Sequence, residues 1–331
     1  KASISSICLS FSSIQVKLLR YYIKSIGKQN PMIHRVGLLH LGMVLLFFPW
    51  SVEAFPKVVV SIKPLHSLVS GVMEGVGKPN LLLEGNASVH VYSMRPSEVS
   101  ILQQAELFFW VGPQLETFLE KPLANLTHSM ISVEMIETKG LQIHQNEKKS
   151  FWISGGDERN FIDPHLWLDP WNAIRMVQRI SQELTEVDPE NARRYQRNSK
   201  FLKQKLKRLD QHLEQDLGAL KQKPFAVFHP AYTYLEKRFD LMRVGVVNIH
   251  PDRPPGARHL AKLRRMMQQN GVECLFREPQ FDPRLTDMLL QGTNVRSAIL
   301  DPLGAELDEG PELYFTLLRN LGKSFRQCLD S

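Results

Sequence analysis

Residues 188–217 read DPENARRYQRNSKFLKQKLKRLDQHLEQDL, a run with no glycine and one proline, at its second position. Proline and an acid in the first turn suit a helix start. Tyr195, Phe201, Leu202, Leu206, Leu209 and Leu213 then recur at helical spacing with dense charge between them. The run holds about four heptads without a clean a/d seam, so the pattern predicts a solvated strut between two bodies rather than a coiled coil.

The sequence on each side of this helix follows one grammar. Upstream, Lys57-Val-Val-Val-Ser-Ile reads as a strand, His66–Val76 as a helix stopped by Gly77, and Asn80-Leu-Leu-Leu-Glu as a second strand. A loop over 85–95 carries His90, and a helix starts at Pro96. Leu107-Phe-Phe-Trp-Val is a third strand, Leu115–Leu126 a helix and Ile131-Ser-Val-Glu-Met a fourth strand. A polar stretch over 139–160 precedes a helix from Trp171 to Leu184, with Asp169 placed to cap it. Downstream, Phe225-Ala-Val-Phe, Met242-Arg-Val-Gly-Val-Val, Val272-Glu-Cys-Leu-Phe and Arg296-Ser-Ala-Ile-Leu alternate with helices over Tyr232–Phe239, Ala257–Asn270, Arg284–Gln291 and Glu312–Cys328. Strands that are apolar almost throughout are buried on both faces. The class is therefore α/β, with two parallel sheets flanked by helices.

The formal charge of +7 is concentrated outside this pattern. Six of the 41 basic residues and one of the 34 acidic ones fall in 1–54, which leaves 35 against 33 in the rest. The basic balance is thus no indication of nucleic-acid binding. Met32-Ile-His-Arg followed by the apolar stretch Val36–Trp50 and by Ser51-Val-Glu-Ala has the layout of a signal peptide cleaved after Ala54. The apolar stretch is shorter than the ~20 residues that span a bilayer. No cysteine follows it, which argues against a lipid anchor. The expected mature chain starts at Phe55 in a periplasm, and 1–31 are expected to be upstream translated sequence. Beyond the leader only Cys274 and Cys328 remain. In an exported protein they form one disulfide or stay as two separate buried thiols.

Three histidines stand at loop mouths: His90 in Ala-Ser-Val-His-Val-Tyr, His165 in Asp-Pro-His-Leu-Trp-Leu-Asp-Pro and His229 in Ala-Val-Phe-His-Pro-Ala-Tyr. Asp301 follows the last strand in Asp-Pro-Leu-Gly. Three imidazoles and a carboxylate are a donor set suited to tetrahedral Zn²⁺, and ligands of open α/β sheets gather beyond the carboxyl ends of the strands. The set predicted for the metal is His90, His165, His229 and Asp301, with water as the alternative in the fourth position. Glu278, at a strand end, is a candidate to hydrogen-bond a ligand imidazole. His66 is a candidate for the cleft's outer layer. His250 and His259 are expected to be bystanders, with His259 solvated on a basic helix.

These segments resemble the metal-binding solute-binding proteins of ABC importers, and the zinc-uptake branch in particular. Ser61-Ile-Lys-Pro-Leu-His-Ser-Leu, Tyr92-Ser-Met-Arg-Pro-Ser, Phe109-Trp-Val-Gly-Pro, Leu119-Glu-Lys-Pro-Leu, Asp163-Pro-His-Leu-Trp-Leu-Asp-Pro, Phe228-His-Pro-Ala-Tyr, Pro255-Gly-Ala-Arg, Glu278-Pro-Gln-Phe and Leu300-Asp-Pro-Leu-Gly carry the likeness from about Val58 to Cys328. The resemblance implies two lobes, 55–187 and 218–331, joined by one rigid helix over 188–217. It places metal in the cleft, with His90 and His165 on the first lobe and His229 on the second, and a disulfide between Cys274 and Cys328. It also implies delivery of zinc, by a monomer, to a membrane permease driven by an ATPase. A third imidazole where manganese-binding members tend to have a carboxylate favours zinc. The chain departs from the pattern at Val91, where an acid is usual, and at Val89, where some members have Glu. The long His-rich loop is reduced to His128 and His144. The rival readings are a manganese or iron importer component, a three-histidine zinc hydrolase and an adhesin. The hydrolase lacks a His-Glu-x-x-His spacing.

Overall fold

The computed structural model describes residues 55–85, 88–126, 130–145, 162–249 and 254–330. The leader and His128 and His250 lie outside them. Four short strands, β1 (Val58–Val60), β2 (Asn80–Leu81), β3 (Leu107–Trp110) and β4 (Ile131–Glu134), form one sheet in the order β2-β1-β3-β4, every pair parallel. A second sheet repeats the arrangement with β5 (Phe225–Val227), β6 (Arg243–Val246), β7 (Cys274–Arg277) and β8 (Arg296–Ile299) in the order β6-β5-β7-β8. The expected class, two lobes each with a parallel sheet flanked by helices and one long helix between them, is the observed one. In each sheet the strand order reverses between the two central strands, which opens a crevice at their carboxyl ends.

Around the first sheet lie α1 (Lys63–Val72), α2 (Pro96–Gln103), the short α3 (Glu120–Ala124) and α4 (Pro170–Val187). The long helix α5 spans Ala192–Leu217, and α6 (Thr233–Phe239), α7 (Ala257–Gln269), α8 (Arg284–Leu290) and α9 (Leu313–Leu329) accompany the second sheet. Asp169 caps α4 as expected: its carboxylate accepts the Trp171 amide at 2.8 Å, and Pro170 opens the helix. The expected helix over 115–126 is instead a 3₁₀ turn, Thr117–Leu119, followed by α3. Pro122 has no amide hydrogen to give to Phe118 O, so it suits the first turn of a helix that starts at Glu120 and not the interior of one that starts at Leu115.

The long helix differs from the solvated strut read in the sequence. Tyr195, Ser199, Leu202, Leu206, Leu209, Leu213 and Leu217 form one buried stripe. That stripe packs on α1 and α4 from the first half and on α9 from the second. Phe201 is 54% exposed, and the small Ser199 takes the buried place. A seam therefore exists, hidden in the sequence because a large apolar residue lies off it and a polar one lies on it. Through this stripe a single core joins both sheets and includes Val60, Phe109, Trp167, Leu206, Phe225, Phe276 and Phe325. Cys274 on β7 is joined to Cys328 on α9 by a disulfide, which closes the alternative of two separate thiols.

Candidate metal centre

His90 sits in a 3₁₀ turn, Val89–Val91, in the connection after β2. His165 begins the turn that leads into α4. Asp163 shapes that loop: one of its oxygens accepts the His165 amide at 3.0 Å and lies 2.8 Å from the ring Nδ1. One carboxylate thus sets both the backbone and the ring. His229 follows β5, and Glu278 follows β7, so they stand on the two sides of the second sheet's crevice. Their side chains meet there, with Glu278 Oε1 2.6 Å from His229 Nδ1.

The three histidines converge. Their ligand atoms lie within 4.8 Å of one another, and the ring centroids are 5.4, 5.5 and 5.2 Å apart. A carboxylate only accepts, so Asp163 and Glu278 each fix a proton on Nδ1 and leave Nε2 with a bare lone pair. His165 Nε2 and His229 Nε2 face each other at 3.4 Å. Two lone pairs at that distance repel unless a cation sits between them. With Zn–N bonds of about 2.0–2.1 Å, the edge of a tetrahedron is about 3.3–3.4 Å. The donors therefore fit zinc in type and in separation. His165 and His229 are buried and His90 is half-buried, so the open side of the site is the side of His90.

Asp301 does not join the cluster. Its Oδ1 accepts the amides of Leu303 and Gly304, both at 3.0 Å, and its Oδ2 accepts that of Ala305 at 2.6 Å. Gln280 Nε2 adds a fourth donor at 2.8 Å. The carboxylate expected to face the metal instead closes its own turn, in which Gly304 has a φ of +68° that suits glycine. This turn is locked to the other half of the molecule. Trp167 Nε1 donates to Pro302 O at 2.8 Å, and Lys63 Nζ donates to Ala305 O and Leu307 O at 2.7 and 3.0 Å.

Of the other candidates, Glu278 holds a ligand-type imidazole, as its place at a strand end suggested. His66 does not reach the cleft: its Nε2 donates to Pro79 O at 3.0 Å, and burial lowers its pKa. His259 is not a solvated bystander, because its Nε2 lies 2.9 and 3.1 Å from the carbonyls of Val246 and Val247 and covers the open edge of β6. Sequence reading missed Asp163 as the partner of His165. The only signal was a carboxylate two positions ahead of the histidine in a proline-fixed loop. It also missed Gln280, which lines the same small cavity as the three histidines. Tyr232 lies beside Glu278. Burial, and then the negative charges of Glu278 and Asp301, push its phenol well up, and it donates to Leu300 O at 3.0 Å.

Paired α/β lobes with three converging imidazoles between them define a metal-binding protein of the two-lobe solute-binding class. The chain belongs to the family described as zinc-uptake complex component A, periplasmic, whose profile matches residues 58–328. It is 38% identical over 309 residues to the high-affinity zinc uptake system protein ZnuA of Brucella suis biovar 1 (strain 1330), covering 82% of this chain and 91% of that one. To the protein of the same name from Yersinia pestis it is 31% identical over 318 residues, covering 90% and 100%. The fold is that of the periplasmic zinc binding protein TroA from Treponema pallidum, with a TM-score of 0.72 at 19% identity over 83% of this chain and 99% of that one. Among the described residues no helix is long and apolar enough to cross a membrane.

Proposed function

We propose that this protein captures Zn²⁺ in the periplasm, after cleavage near Ala54, and hands it to a membrane permease driven by an ATPase. One observation carries the reading: three imidazoles from both sheets converge, and two of them are held by buried carboxylates so that their bare Nε2 atoms face each other. The lobes, 55–187 and 218–331 with 188–217 between them, each contribute to one ion. Zn²⁺ bound by His90, His165 and His229 ties the lobes together. Its double charge is balanced by Asp163 and Glu278 acting through two of the rings. Those carboxylates are committed to Nδ1 atoms, which favours a binder over a hydrolase that would need one as a general base.

Binding requires unprotonated imidazoles, so acid competes with the ion. The test is titration of the purified, metal-stripped mature protein with Zn²⁺ and with Mn²⁺ at pH 7.5 and 5.5. The expected result is one tight zinc site per chain, weaker at the lower pH, and weak manganese binding. Tight Mn²⁺ with weak Zn²⁺ would reverse the choice of ion. Esterase or peptidase activity that disappears in His165→Ala would favour the hydrolase.

A further inference from the structure

We propose that Gln280 supplies the oxygen on the fourth side of the zinc site, and that Asp301 is the positioning residue that turns this oxygen toward the metal. The inference rests on the zinc-binding reading above.

Gln280 lies in the loop after β7, two positions beyond Glu278. Which end of its amide is oxygen follows from its neighbour. Asp301 already accepts three backbone amides and has nothing to donate, so the group 2.8 Å from its Oδ1 is the NH₂ of Gln280. The amide oxygen must then point away from Asp301. That oxygen is shut off from solvent and has no hydrogen-bond partner, while the residue lines the cavity that holds His90, His165 and His229. Buried carbonyl oxygens are almost always matched by a donor or a cation. The remaining carboxylates cannot take this place. Glu278 and Asp163 stand at the Nδ1 sides of His229 and His165, across each ring from the Nε2 atoms that converge. The cavity is about 10 Å³, room for a single small sphere.

A neutral amide oxygen at this place has a consequence for selection. Carboxylate oxygens favour harder ions such as Mn²⁺, and three imidazoles with a neutral oxygen favour Zn²⁺. Asp301 fixes this choice without touching the ion: its carboxylate holds the turn and the amide together.

Three variants of the mature protein test this: Gln280→Leu, Gln280→Glu and Asp301→Ala. Each is checked for folding by thermal melting, then titrated with Zn²⁺ and Mn²⁺ and loaded with Co²⁺ to record the ligand-field spectrum. Gln280→Leu should weaken zinc by about tenfold or more and change the cobalt spectrum. Gln280→Glu should raise manganese affinity relative to zinc by at least about tenfold. Asp301→Ala removes the acceptor that orients the Gln280 amide, so a folded variant should show an altered cobalt spectrum and weaker zinc binding than the parent. A folded Gln280→Leu with unchanged zinc affinity and spectrum overturns the proposal, as does a folded Asp301→Ala whose zinc affinity and spectrum match those of the parent. Failure of the parent protein to bind zinc would instead overturn the function on which the proposal rests.

Discussion

The two sheets have the same strand order and the same crevice, and they fill it differently. In the first, the buried Glu116 bridges the ends of β1 and β3. Its carboxylate accepts Ser61 Oγ at 2.6 Å and the amides of Val111 and Gly112 at 3.2 and 2.9 Å. Gly112, with a φ of +144°, lets that loop come close, since a Cβ there would stand 2.9 Å from Ile136. In the second, Glu278 takes the equivalent place between β5 and β7 but meets an imidazole, and its other oxygen has no partner. The first crevice is closed by the chain's own donors. The second passes its negative charge through a ring to a lone pair that faces the cleft. Topology provides two equal crevices, and the groups opposite the carboxylate distinguish them: a hydroxyl and backbone amides in the first, an imidazole in the second.

The halves also differ in their covalent ties, and here the largest effect is expected. Only the second sheet carries the disulfide, across a sequence separation of 54 residues. Cys274→Ser with Cys328→Ser should cost about 4 kcal/mol in the chain-entropy model, seen as a lower denaturant midpoint. Spectroscopic probes placed in each half would show whether the loss is confined to the second or, through the shared core, spreads to both. Loss of one imidazole comes next. His165→Ala or His229→Ala should weaken zinc by roughly 3 kcal/mol, over a hundredfold, because one of three histidine ligands is lost from a site of the 10–16 kcal/mol class. Isothermal titration measures it.

Glu116 tests the first crevice. Burial pushes its carboxyl up to about 7, against the donors of Ser61, Gly112 and Val111 that pull it down. A raised folded pKa means that the protonated group is the stabilising form. Its contribution is full below the ordinary value of 4.5 and is lost as pH rises through 7. Glu116→Gln, which mimics the protonated form, should flatten the decline in stability between pH 5 and 8 by up to about 3 kcal/mol, followed by melting across that range. Zinc affinity should not move. If it does, the two crevices are not divided in the way described. The smallest effect is expected at the matching position of the other sheet: Glu278→Gln should leave melting of the metal-free protein nearly unchanged and weaken zinc by about 10–100-fold.

Much of this was legible in the sequence. Val58–Val60 and Phe225–Val227 read as buried strands because β-branched and aromatic runs leave few alternatives, and the charged run from 188 to 217 could only be a long helix. His90, His165 and His229 stood out because polar residues at strand ends and loop mouths face the crevices of such sheets. The buried seam of the long helix was not legible. Ser199 and Phe201 exchange the places that polarity would assign them, and only the neighbouring helices determine which side is covered. Asp301 was left between two readings for a related reason. An Asp-Pro-Leu-Gly segment serves equally as a turn or as a ligand loop until the directions of the amides of residues 303–305 are known.

The sequence by itself determined the periodicities, the repeated α/β pattern and the donor types, since these depend on residues close together in the chain. Tertiary structure decided which carboxylate backs which ring, that Asp301 serves the turn, and that the Gln280 amide donates to Asp301. Each of these depends on the direction of a hydrogen bond between residues far apart in the chain, and direction is fixed only when the two sheets and the helix between them pack into one core.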